Sequence, residues 1–163
     1  MNAMTARALG LAVAVAAWTA ISHVGKLPLH LWPVLIGLAC YLAAGGGIAG
    51  FKKSSAGVTS GVIWAMLYVA VSGALGRQEL LDALVLGAAA FGIVYQARVP
   101  FLTYAPAAFA GAATALGVMG VRAVSVQNGI RVIVALVIGT ALGYIAEHLT
   151  GIIMQQMTKA RRA

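Results

Sequence analysis

Acid is what this sequence lacks most. Three carboxylate side chains, Glu79, Asp82 and Glu147, stand against eleven lysines and arginines. Charged residues make up 9% of the chain. A water-soluble domain carries about 25%, so an ordinary soluble globular domain is excluded. Cysteine is nearly absent as well. Cys40 stands alone inside an apolar run, so it has no intramolecular disulfide partner and is expected to be a small buried hydrophobe. The three histidines, His23, His30 and His148, are scattered. Glu147 and His148 are adjacent, and adjacent residues on a helix point apart. No metal cluster or nucleophile–base constellation is visible. Residues 45–50 are glycine-rich but lack the Lys-Ser/Thr ending of a nucleotide loop, and Lys52-Lys53-Ser54 does not supply the spacing. The expectation is a non-enzyme with no metal and no cofactor.

The net charge of +8 has no long basic stripe behind it. Lysines and arginines fall singly or in pairs between apolar runs, which argues against nucleic acid as a partner. What the chain does have is apolar surface: 62% of its 163 residues are hydrophobic. A disordered chain would need low hydrophobicity. The runs cover residues 8–24, 31–49, 56–75, 80–96, 101–121 and 129–153. A transmembrane helix takes roughly 20 apolar residues. The fold class predicted is all-α: a polytopic membrane protein with about six transmembrane segments, residues 1–163 forming a single membrane domain in the lipid bilayer. The first run is longer than a signal-peptide core and is read as a retained helix. Lys52-Lys53-Ser54-Ser55 separates the second and third runs, and Asn128 is expected to cap the last helix.

Six crossings put both termini on one side. That side holds Arg7, Lys52, Lys53, Arg98, Lys159, Arg161 and Arg162, against Lys26, Arg77, Arg122 and Arg131 on the other. Lysine and arginine favour cytoplasmic loops. Both termini are therefore expected in the cytoplasm, for a multi-pass protein of a bacterial inner membrane.

A repeat runs through the chain. Lys26-Leu27-Pro28 matches Arg98-Val99-Pro100 at an offset of 72, and so do Trp32 with Tyr104 and Gly57 with Gly129. One residue further on, Trp18 matches Phe91 and Pro33 matches Pro106. Each unit holds three crossings, so the second lies upside down relative to the first. The expectation is two inverted three-helix repeats, 7–76 and 79–153, followed by a basic tail at 154–163. Transporters and channels commonly share this architecture, and paired Gly/Pro-interrupted segments point to their binding sites.

Pro33 and Pro106 therefore become candidate pathway residues. Either they break their helices and free backbone to face a cavity, or they sit in the first turn. Trp18 and Trp64 fall near the middle of their segments, where each indole N–H needs a partner. They either line a solute path or pack between helices. Thr103 and Tyr104 stand at the start of the fifth segment. Glu147 is the best candidate for a proton or cation relay, with pairing to a nearby base as the alternative. Gly45-Gly46-Gly47 is expected to end a helix. Gly46/Gly50, Gly57/Gly61 and Gly139/Gly143 have the small-xxx-small spacing that lets helices meet closely.

The run Gly57-Val58-Thr59-Ser60-Gly61-Val62-Ile63-Trp64-Ala65-Met66 resembles the YcdZ-like family of small bacterial inner-membrane proteins of unknown function. That family has a glycine-rich end to its second helix, then Ser-Gly-Val-x-Trp-Ala-Met. It also has an aromatic-x-Pro-x-x-Phe-x-Gly stretch, similar to residues 104–111 here with spacing shifted by one. The resemblance implies an inner membrane and six or so helices, and it carries no activity. Residues 103–114 are also similar to the signature segment of urea transporters, which are built from inverted repeats around a neutral-solute pore.

The expected function is a channel or facilitative transporter for a small neutral or weakly basic polar solute, such as urea, an amide or an amine. The path would run between the repeats, past Trp18, Pro33, Trp64, Thr103, Tyr104, Pro106 and Glu147. Assembly as a homo-oligomer is expected. The alternative is a non-transporting structural or assembly subunit of the membrane.

Overall fold

A computed structural model describes residues 3–26, 29–120 and 125–160, with side chains over 4–26, 29–120 and 125–155. Leu27, Pro28, Arg122, Arg161 and Arg162, which entered the repeat and the charge bias, lie outside the described residues.

All regular structure among the described residues is helical. Six α-helices follow in order: α1 (Ala3–Val24), α2 (Leu31–Ala43), α3 (Gly47–Ala74), α4 (Glu79–Tyr95), α5 (Ala105–Met119) and α6 (Val126–Ala160). One 3₁₀ turn, Gln96–Arg98, extends α4. Four helices, α1, α3, α4 and α6, are long and apolar enough to cross a membrane. α2 and α5 are shorter. At 1.5 Å per residue they span about 20 and 22 Å, below the ~30 Å hydrocarbon thickness. Six apolar segments were expected and six helices are present, but two of them are too short to cross unaided.

The boundaries follow backbone chemistry more closely than charge. Lys52-Lys53-Ser54-Ser55 does not separate two helices but lies inside α3. Lysine and serine fit a helix, whereas the preceding three glycines stop one. Gly45, Gly46 and Gly47 have φ of +91°, +74° and +65°, a region that side chains avoid. The α2–α3 turn therefore falls there, six residues ahead of the end of the second apolar run. Pro33 and Pro106 both sit in the first turn of their helices, where a missing amide costs nothing. Ser125, not Asn128, caps α6: the Asn128 backbone N–H donates to Ser125 Oγ at 3.3 Å. Ser125 stands three residues earlier, in the position where a side-chain oxygen reaches the orphan amide.

The closest seams join α3 to α5 and α2 to α6. Each is a reciprocal glycine contact. Gly61 lies on the Ala108 carbonyl and Gly111 on that of Val58. Gly37 lies on the Leu136 carbonyl and Gly139 on that of Val34. α3 and α6 run antiparallel, with Ser55 Oγ 2.8 Å from Thr140 Oγ1 and Gly129 beside Met66. Where they cross, the core is Val58, Val62, Val132 and Leu136, all buried. α1 packs along α6, and the Thr150 hydroxyl approaches the Ala6 carbonyl. α4 lies against α3 at the rim, with only 6% of its apolar stretch buried. Cys40 is a free, buried thiol of the core, as expected.

Candidate functional site

Four residues of α3 recur every fourth position: Ser60, Trp64, Tyr68 and Ser72. That spacing puts them on one face, and the face looks at α4. Gln96, at the far end of α4, binds two of them. The Trp64 indole N–H donates to Gln96 Oε1 at 3.0 Å, and Gln96 Nε2 donates to Ser60 Oγ at 3.0 Å. Ser60 Oγ donates in turn to the Gly57 carbonyl at 2.8 Å. Asp82, in the first turn of α4, binds the other two. The Tyr68 hydroxyl donates to Asp82 Oδ2 at 2.9 Å and the Ser72 hydroxyl to Asp82 Oδ1. Each end of the α3–α4 contact is thus a small polar network, about 21 Å apart along α4 at 1.5 Å per residue.

Between the two networks lies a cavity of about 180 Å³, open on one side. Trp64, Tyr68 and Phe109 supply aromatic faces, and Ala89, Ala90 and Ala113 leave the space. Gly92 makes room for the indole, since a methyl there would run into the Trp64 ring. Chemically, the arrangement offers an almost wholly apolar groove with aromatic walls, and the Ser60, Gln96, Ser72 and Asp82 side chains are not part of its lining. Among the described residues no cluster of three or more metal-ligating side chains occurs.

The expected pathway residues part company in the structure. Trp64 is half-buried in this groove. Tyr104 caps the start of α5, packs on the core and lays its carbonyl beside Gly57. Thr103 is exposed at the same corner, its hydroxyl 3.4 Å from the Pro100 carbonyl, and Pro106 follows in the first turn of α5. Trp18 lies on α1, away from the groove. Pro33 lines a separate cavity at the start of α2. Glu147 lies at the opposite end of α6. Its carboxylate accepts the Tyr41 hydroxyl and the Gly47 backbone N–H, the latter at 2.9 Å. It therefore caps α3, whose own cap residue, Gly46, has no side chain to do so. His148 turns away to meet the Tyr144 ring edge-on, with centroids 4.7 Å apart.

Gln96, Ser60, Tyr68 and Ser72 escaped the sequence reading. The period-four stripe on α3 was the available signal, and Gln96 had none, because only the α3–α4 packing brings it to Trp64.

The sequence profile of the family described as "Protein of unknown function (DUF1097)" matches residues 8–151. The chain is 34% identical over 96 residues to "Inner membrane protein YcdZ" of Escherichia coli (strain K12). That alignment covers 58% of this chain and 56% of the relative, so the chain matches about half the length of that protein. No solved structure matches.

Proposed function

The chain belongs to the family of proteins of unknown function DUF1097, and we propose that it is an inner-membrane facilitator for a small neutral or weakly basic polar solute of the urea, amide or amine class. The groove between α3, α4 and α5 carries this reading. Trp64, Tyr68 and Phe109 present faces that suit a flat or cationic solute. The Ser60–Trp64–Gln96 network and the Tyr68–Ser72–Asp82 network lie beyond its lining and fix the α3–α4 wall. Only Asp82 among them is a charged group near neutral pH, which suits passive passage of an uncharged or weakly basic molecule better than ion-coupled pumping. Thr103, Tyr104 and Pro106 stand by the Gln96 end as its vestibule. Trp18, Pro33 and Glu147 lie outside this path.

Two inverted repeats are part of the proposal. The reciprocal glycine contacts support them: Val34 and Gly37 of α2 correspond to Ala108 and Gly111 of α5 at an offset of 74. Leu136 and Gly139 of α6 correspond to Val58 and Gly61 of α3 at 78. The seams thus exchange under a two-fold axis between α3 and α6. The bundle directions suit an even number of crossings, with both termini in the cytoplasm by the charge bias. The nearly bare α4 offers a surface for a homo-oligomer in the bilayer.

A second reading is a non-transporting membrane subunit, and the α3–α6 crossing favours it, because its core of Val58, Val62, Val132 and Leu136 is apolar and the Ser55–Thr140 hydroxyl pair beside it is satisfied within the protein. Stopped-flow light scattering on liposomes holding the purified protein separates the two. Urea, small amides, glycerol and ammonium salts would be compared. The facilitator reading expects solute-selective reswelling above empty liposomes. Ala113→Phe, which fills the groove from an exposed position, should slow it about fivefold or more, since passage depends steeply on pore width. Trp64→Ala should alter it with assembly intact. Reswelling equal to empty liposomes for every solute would leave the subunit reading standing.

A further inference from the structure

A second cavity, of about 120 Å³, opens where α2 and α6 begin. His30, Asn128 and Arg131 ring it, with Pro33, Val118 and Ala135 among its apolar walls. Arg131 sits in the second turn of α6, within a stretch apolar enough to cross a membrane. Its side chain is exposed there, so the guanidinium reaches the membrane interface and stays open to an anionic partner. Among the described residues, the side chains of His30, Asn128 and Arg131 have no hydrogen-bond or ion-pair partner. No acid lines the cavity, and Asp82 and Glu147 are each engaged elsewhere by hydroxyl and amide donors.

We infer that this cavity binds a phosphate-type oxyanion, held by the Arg131 guanidinium, the Asn128 amide and the His30 ring. A guanidinium matches phosphate oxygens two at a time. Asn128 and His30 add donors from the opposite helix starts. The first turns of α2 and α6 contain no acid, and α2 begins without a side-chain cap, so both helix ends add positive potential to the same space. The solute groove lies across the bundle between α3, α4 and α5, so the two sites stand or fall separately.

One chemistry has two sources here, free phosphate and the phosphate of an anionic lipid headgroup. The full-length protein is titrated in detergent with inorganic phosphate by calorimetry, and native mass spectrometry measures retention of phosphatidylglycerol against phosphatidylcholine. Phosphate binding without lipid selectivity identifies a free oxyanion as the ligand. Selective retention of phosphatidylglycerol identifies the headgroup. In either case Arg131→Gln should weaken binding about tenfold, the worth of one charge-assisted contact, and Lys53→Gln on the exposed face of α3 should not. Asn128→Leu, which keeps the charge, provides the same test if Arg131→Gln fails to fold. Wild-type protein that binds neither probe, or binds each as well as Arg131→Gln and Asn128→Leu do, overturns the site.

Discussion

Gly61→Leu and Gly139→Leu are each expected to destabilise the fold severely. At Gly61 a side chain would run into the Ala108 carbonyl, and at Gly139 into that of Val34. Both obstacles are helix backbone, which cannot step aside as a flexible side chain can. Overpacking a close-packed core costs about 1–3 kcal/mol even when neighbours can shift, so a cost of about 3 kcal/mol or more is expected here. Folded proteins have only about 5–15 kcal/mol of stability in total. Gly61→Ala should fall between wild type and leucine. Gly87 on α4 is the control, because nothing lies within 4 Å of the position a methyl would take. Gly87→Ala should raise stability slightly through helix propensity, by up to about 1 kcal/mol. Thermal melts of purified protein in detergent check the series. Wild-type melting of Gly61→Leu would mean that α3 and α5 do not meet as described.

Glu147→Ala is expected to be the most damaging change at the α2–α3 turn. It strips the acceptor from the Tyr41 hydroxyl and from the Gly47 amide at once. The Tyr41 side chain is wholly buried, so its hydroxyl has little recourse to solvent. Gly47 N–H keeps the Tyr41 oxygen at 2.9 Å as a lesser partner. Hydrogen bonds to a charged group contribute about 1.5–3 kcal/mol each, and partial exposure of the carboxylate places the total loss near 2 kcal/mol. Glu147→Gln keeps an acceptor and should recover more than half of it. This pair separates a structural cap from the relay that the sequence suggested. A cap predicts that Glu147→Gln retains solute flux nearly at the wild-type level while Glu147→Ala loses protein. A proton relay would fail in both, with the glutamine variant folded but inactive.

Much of the architecture was legible along the chain. Runs of Ala, Val, Leu and Ile with so few charges have no soluble solution, because backbone amides in lipid must bond within their own helix. Gly45-Gly46-Gly47 and the two prolines marked helix ends for reasons local to the backbone. Of the three four-residue glycine spacings, Gly57/Gly61 and Gly139/Gly143 marked seams, whereas Gly46/Gly50 lies at the α2–α3 turn. Less legible were the boundaries that charge seemed to set. Lys52 and Lys53 look like a loop but ride on the first turns of α3, since a lysine stem tolerates a helix while its head finds water.

The site was legible only in part. Trp64 stood out because a mid-segment indole must find an acceptor, but its acceptor, Gln96, lies 32 residues on, at the end of another helix. Glu147 stood out because acids are scarce, but its role depends on Gly47, 100 residues away. Tyr68, Ser72 and Asp82 become a network only when α4 folds back on α3.

By itself the sequence determined a helical protein with membrane-length apolar segments, its scarcity of acid and its glycine-marked helix contacts. These follow from composition and local backbone freedom, which need no partner. The tertiary structure alone decided which helices meet, that valines and a leucine fill the α3–α6 crossing, and that polar networks gather beside α4 and positive charge gathers at the starts of α2 and α6. Those outcomes rest on which carbonyl each glycine faces and how far each side chain reaches, and no pattern along a single chain encodes them.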